Sequence, residues 1–283
     1  MIEKTIDIKT PDASPIGGGM TTLIFHPEDD PSPVIILYMD AFGIREELRN
    51  MARRLASVGY YVAVPNLYYR SSLLEVDQIA SMPDEDGAPK IMPLVREVTV
   101  PRVMADSDAL LGFIDQDSAA AKGPIGTVGY CMSGRNAIAL AARHPDRVAA
   151  VASIYGTWLF EDSPTSPANM LPSVRCALYM ACAEHDPFVP LHEVEALRNM
   201  LMTRDAPTEV ELYAGEHHGF AFPKGRATAA SPPSVTGSSS SACSDRFWQL
   251  HDRRQFSDPL SGRRSMRLSR RLGLPPSTPT EQI

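Results

Sequence analysis

Cysteine is scarce in this chain of 283 residues: Cys131, Cys176, Cys182 and Cys243 are the whole set. They show neither the paired spacing of a metal site nor the compact pattern of a disulfide framework. The expectation is a reducing, cytoplasmic setting with no metal and no cofactor. No apolar run approaches the roughly 20 residues that span a bilayer, so no membrane role is expected. Met1-Ile2-Glu3-Lys4-Thr5-Ile6-Asp7 lacks the charged-then-apolar layout of a secretory leader. Positive charge is also short. The net charge is −7, which gives a nucleic-acid partner no support.

The apolar fraction, 43%, supplies a sizeable core at this length. Its arrangement predicts alternating strands and helices. Thr5–Thr10 and Met20–Phe25 read as an opening hairpin. Val34–Met39, Tyr61–Pro65 and Cys176–Cys182 are continuous apolar runs, as expected of strands buried on both faces. Ile125–Tyr130 and Val148–Tyr155 are read as further strands, and Thr208–Tyr213 alternates as the last one. Between them, Leu48, Met51, Leu55 and Val58 recur at helical spacing, and Gly59 stops that helix. Val103 to Asp117, Met132 to Arg143 and Val194 to Leu201 give three more. Residues 71–98 carry no clear period and read as an insertion or lid. Such alternation implies an α/β fold with a mostly parallel sheet covered by helices on both faces.

The organising stretch is Gly129-Tyr130-Cys131-Met132-Ser133-Gly134. It sets a cysteine between small residues at a strand-to-helix turn, the layout of a nucleophile elbow. Such a turn lifts the sulfur clear of the backbone and places it at a helix N-terminus, where a thiolate is favoured. A buried cysteine packed behind a tight turn would show the same pattern.

In parallel sheets, site residues gather beyond the carboxyl ends of the strands. Asp40, Cys131, Asp186 and His218 all follow predicted strands. The chain order nucleophile, acid, histidine is that of the α/β-hydrolase fold. In this reading Cys131 attacks a carbonyl carbon, His218 moves the proton, and Asp186 orients the imidazole. The backbone N–H groups of Ala41 and Met132 are the expected oxyanion donors. Asp186 would equally cap the following helix. His217 and His218 are adjacent, so one is expected to point away from the site.

These residues resemble the dienelactone hydrolase family, the cysteine-nucleophile branch of the α/β-hydrolases. The resemblance rests on Asp40-Ala41-Phe42-Gly43, Pro65-Asn66-Leu67-Tyr68-Tyr69-Arg70, the elbow, Asp186 before Phe188-Val189-Pro190, and His218-Gly219-Phe220. It covers residues 1–226. It implies cleavage of a small ester or lactone through a thioester intermediate, in a monomer or weak homodimer.

Two departures stand out. Many members carry glutamate, facing the resting cysteine, where Asp40 stands one methylene shorter. The best-known members carry an arginine after the histidine, where this chain has Phe222. Arg70 and Arg135 are the candidates to contact substrate in its place. Other classes remain open: a thiol redox enzyme, with Cys176 or Cys182 as resolving partner, and a non-catalytic remnant with a basic tail.

From residue 227 the composition shifts to arginine, serine and proline. Eight arginines face four acids there, a net of +4 (8 − 4). One reading is a disordered basic tail. Another is a frameshift that replaces the final helix. Pro232 to Ser244 can be encoded by codons that, read one nucleotide earlier, give Ala-Ala-Glu-Arg-His-Trp-Glu-Gln-Leu-Phe-Ser-Leu-Phe. The gene's own nucleotides decide between the two.

Overall fold

The continuous apolar runs form the inner strands of one eight-stranded sheet. The computed structural model describes residues 1–11, 18–28, 31–71 and 91–222. The strands are β1 (Ile2–Ile8), β2 (Met20–His26), β3 (Val34–Tyr38), β4 (Tyr61–Pro65), β5 (Ile125–Tyr130), β6 (Val148–Ile154), β7 (Ala177–His185) and β8 (Thr208–His217). Their spatial order is β1-β2-β4-β3-β5-β6-β7-β8. β1 and β2 pair antiparallel, as do β2 and β4. The remaining pairs are parallel. This is the α/β-hydrolase arrangement that the element order implies.

Burial follows sequence pattern. Every residue of β3, β4 and β5 is buried, in keeping with their unbroken apolar character. β1 alternates between exposed and half-buried positions along most of its length, and β8 carries no fully buried residue; both are edge strands.

The helices are α1 (Glu46–Ser57), α2 (Met92–Glu97), α3 (Val100–Ile114), α4 (Gly134–Arg143) and α5 (Leu191–Leu201). α1 buries Leu48, Ala52, Leu55 and Ala56, one stripe at helical spacing. Gly59 then adopts φ +101°, a conformation that suits glycine and stops the helix.

Several boundaries differ from the sequence-based reading, β1 running Ile2–Ile8 rather than Thr5–Thr10 and α3 starting at Val100 rather than Val103. The helix predicted from Met132 begins instead with a tight turn, Cys131–Ser133, before α4. The cause is Cys131 itself, whose φ of +53° cannot start an α-helix. β7 and β8 run on to His185 and His217, past the apolar pattern, because backbone pairing continues there, with an irregularity between Ala183 and His185. The region 71–98 contains α2 in its described part. Its residues 72–90, and the whole of 227–283, lie outside the described residues. No helix among the described residues is long and apolar enough to cross a membrane.

Two glycines give opposite expectations for alanine substitution. A Cβ on Gly129 would lie 2.1 Å from the Ser133 carbonyl oxygen, a backbone atom with little room to yield. Gly129→Ala is expected to lose at least about 2 kcal/mol of stability. Gly112, exposed within α3, meets nothing within 4 Å. Gly112→Ala should gain about 0.5–1 kcal/mol from helix propensity. Thermal denaturation of the two variants checks both signs.

Candidate active site

β5 delivers Cys131 to the carboxyl edge of the sheet. The positive φ of this non-glycine residue costs roughly 1–3 kcal/mol, so the surroundings must hold it. They do so at three points. The Thr157 N–H donates to the Cys131 carbonyl at 3.1 Å. Gly129 lets the turn close over it, as its contact with Ser133 requires. Gly134 packs so tightly against the loop after β6 that an added Cβ would sit 2.5 Å from the Gly156 Cα. The sequence motif exposes the first close approach; the contact of Gly134 with Gly156 is visible only in three dimensions.

The β7–β8 pairing ends at His185 opposite His217, so Asp186 and His218 leave the sheet side by side. Asp186 Oδ2 lies 2.7 Å from His218 Nδ1, and His218 Nε2 lies 3.1 Å from Cys131 Sγ. Asp186 Oδ1 also accepts the Phe188 N–H at 2.9 Å. The carboxylate therefore closes its own turn and orients the imidazole at once. The Tyr155 and Phe188 rings meet the imidazole edge-on, with centroids at 4.9 and 4.8 Å. His217 turns away and packs near His185, 5.1 Å between centroids.

Burial alone would lower the His218 pKa. The hydrogen bonds to Asp186 and Cys131, and their charges, outweigh it and raise the pKa from 6.5 to about 10. An imidazole held between a carboxylate and a thiol can take the thiol proton and return it later.

The two expected oxyanion residues share one clamp, which sequence reasoning missed. Tyr68 is buried, and its hydroxyl donates to the Ala41 carbonyl at 2.7 Å and lies 3.7 Å from Met132 Sδ. Asp40 is buried beside them. Its carboxylate accepts Arg45 Nη1 at 2.6 Å and Nη2 at 2.8 Å, and the Phe42 N–H at 3.0 Å. Three donors share its two oxygens, and burial pushes its pKa up against the pull of Arg45.

The candidate substrate arginines are differently placed. Arg70 is held by Asp106 at 2.8 and 2.7 Å, and the Tyr69 hydroxyl donates to the same buried carboxylate. Arg135 lies one helical turn beyond Cys131 and is 8% exposed. It lines a cavity of about 500 Å³ with Arg96, Trp158, Glu161 and Thr165. Its Nη2 donates to the Val98 carbonyl at 2.8 Å, while Glu161 is 3.5 Å away. Its Nε is buried with no hydrogen-bond partner among the described residues. Cys176 and Cys182 are buried, and burial pushes their thiols up to about 11 and about 12. They are poor thiolates for redox exchange with Cys131. Among the described residues no group of three or more His, Cys, Asp or Glu side chains could hold a metal ion.

Comparison with known proteins yields consistent matches. A profile of the dienelactone hydrolase family matches residues 20–249. A Salmonella typhi protein named "Putative carboxymethylenebutenolidase" is 28% identical over 228 residues, 75% of this chain and 81% of its own. A protein of the same name from Escherichia coli is 29% identical over 195 residues, 68% of this chain and 69% of its own. The crystal structure of a "Putative Dienelactone Hydrolase" from Klebsiella pneumoniae superimposes with a TM-score of 0.71. It is 24% identical and covers 88% of this chain and 97% of its own.

The raised His218 pKa makes stability depend on pH. The charged imidazole contributes fully below 6.5 and loses its contribution as pH rises toward about 10. Denaturant midpoints should therefore fall across that window. Asp186→Asn should flatten this fall as well as lower the midpoint; an unchanged slope in that variant would contradict the assignment of the shift.

Proposed function

The chain belongs to the dienelactone hydrolase family, and we propose that it cleaves a small ester or lactone with Cys131 as nucleophile. The observation that carries this reading is the unbroken chain of contacts from Asp186 through His218 to Cys131 Sγ, 2.7 and 3.1 Å. With the proton held on His218 Nε2 as imidazolium, the Cys131 thiolate attacks the carbonyl carbon. The tetrahedral oxyanion is received by the Ala41 and Met132 N–H groups. Collapse breaks the carbonyl–oxygen single bond, and the leaving oxygen takes the proton from the imidazolium. In a lactone that oxygen stays tethered to the acyl group. His218 then deprotonates a water, which attacks the thioester and releases the Cys131 thiolate. The thiolate–imidazolium pair is thereby restored for the next cycle. Asp186 keeps the imidazole in one tautomer throughout and stabilises its charged form.

The substrate side rests on Arg135. The relatives' name describes a butenolide, an unsaturated lactone, bearing a carboxymethylene group. In this reading the cavity lined by Arg135 and Trp158 receives the far end of such a substrate, and Arg135 meets its carboxylate. Arg70 is already committed to Asp106, and Phe222 is apolar, so Arg135 is the better-placed cation.

Cys131→Ala is expected to lower hydrolysis of a small aryl ester or enol lactone by at least about 10³-fold. Cys243→Ala should leave it unchanged. Turnover retained in Cys131→Ala sinks the reading. Arg135→Gln is expected to raise KM roughly 10-fold or more for a carboxylate-bearing ester, the scale of one charge-assisted hydrogen bond. A neutral ester of the same acyl size should be little affected; equal losses on both would remove Arg135 from the substrate site.

A further inference from the structure

Arg45, the residue that leads into α1, connects two loops that the proposed reaction must keep in register. On one side it grips Asp40 with both terminal nitrogens, 2.6 and 2.8 Å. That carboxylate and its own backbone organise the turn carrying the Ala41 amide: Phe42 N–H binds Asp40 Oδ1 at 3.0 Å, and Gly43 N–H binds the Asp40 carbonyl at 3.0 Å. On the other side the guanidinium lies over the Phe222 ring, 4.2 Å from its centroid. Phe222 belongs to the turn that follows His218, where its N–H binds the Gly219 carbonyl at 3.0 Å. The same ring packs against Tyr130, the residue before Cys131, with centroids 5.1 Å apart. Arg45 and Asp40 side chains are only 13% and 6% exposed.

We propose that Arg45 is a positioning residue: by bridging Asp40 and Phe222 it braces the oxyanion turn against the histidine turn around Cys131. This rests on the reading of Cys131 as the nucleophile of an ester or lactone hydrolase. The brace depends on shape as well as charge. A guanidinium presents two parallel donors to a carboxylate and a flat face to a ring, whereas an ammonium presents neither. Asp40 thus serves as the anchor of the turn, its carboxylate held by Arg45 and the Phe42 N–H.

The experiment compares wild type with Arg45→Met, Arg45→Lys and the double variant Asp40→Asn/Arg45→Met. A neutral aryl acetate reads turnover, and iodoacetamide reads alkylation of Cys131, which needs no oxyanion hole. Arg45→Met should lower kcat 10-fold or more, with KM and the alkylation rate each within threefold of wild type. Arg45→Lys should recover thermal stability but not kcat. The double variant removes the buried carboxylate that Arg45→Met leaves unpaired, so it should be more stable than that single variant yet equally slow.

Wild-type kcat in Arg45→Met, or its return in the double variant, would overturn the brace. So would a parallel collapse of alkylation and turnover, which marks general loss of the site. Amide hydrogen exchange supplies a readout independent of turnover. Residues 40–45 and 218–222 should lose protection together in Arg45→Met while α3 keeps its own; unchanged exchange at both turns overturns the proposal even if the wild type hydrolyses nothing. Wild-type inactivity, or activity retained in Cys131→Ala, instead counts against the hydrolase reading.

Discussion

The close approach of backbones around Cys131 is the constraint to which the site's geometry answers. A cysteine at φ +53° sits in a conformation that chain sterics disfavour. Its persistence requires that neighbours forbid relaxation. Gly129 against the Ser133 carbonyl, Gly134 against Gly156, and the Thr157 amide on the Cys131 carbonyl together do that. None of these contacts involves a long side chain, so the geometry is defined by backbone alone and tolerates little substitution. The sheet order then supplies the partners. β7 and β8 stand on the β6 side of β5, and β3 stands on the other, so the histidine and the acid approach from one flank and the Ala41 turn from the opposite one.

Charge within this frame is organised in pairs. Asp186 faces His218, Asp40 faces Arg45, and Asp106 faces Arg70. Two of the pairs join carboxylates and cations far apart in the chain, and Asp40 with Arg45 closes one loop. Desolvation makes any one of these carboxylates expensive to leave unpaired, so each pair fixes the geometry around it. Arg135 differs. Among the described residues its guanidinium has a carbonyl, an aromatic face and a carboxylate at 3.5 Å as neighbours, and no close bidentate partner.

Much of this was legible in the residues. Unbroken runs such as Val34–Tyr38 announce strands buried on both faces, and turn residues at their ends locate the loops that hold Asp40, Cys131, Asp186 and His218. What escaped was whatever depends on a long side chain's direction. Arg45 reads in sequence as an ordinary charged residue before a helix, and Tyr68 as part of an aromatic loop. Their partners, Phe222 and Met132, lie far along the chain, and no local pattern encodes such pairings. The strand ends escaped for a different reason. Beyond Tyr213 the residues Ala214-Gly215-Glu216 lose alternation, but backbone hydrogen bonding to β7 does not need it.

The position of β8 has a consequence for how the protein fails. His218 rides at the end of the outermost strand, none of whose residues is fully buried, whereas Cys131 is carried by β5, every residue of which is. Regions with few buried apolar contacts open locally at lower free energy than the core. Fraying of β8 would withdraw the imidazole while the sulfur stayed in place on an intact sheet. The molecule's working lifetime is then governed by the stability of its last strand, and its folded lifetime by the centre of the sheet; the two need not coincide.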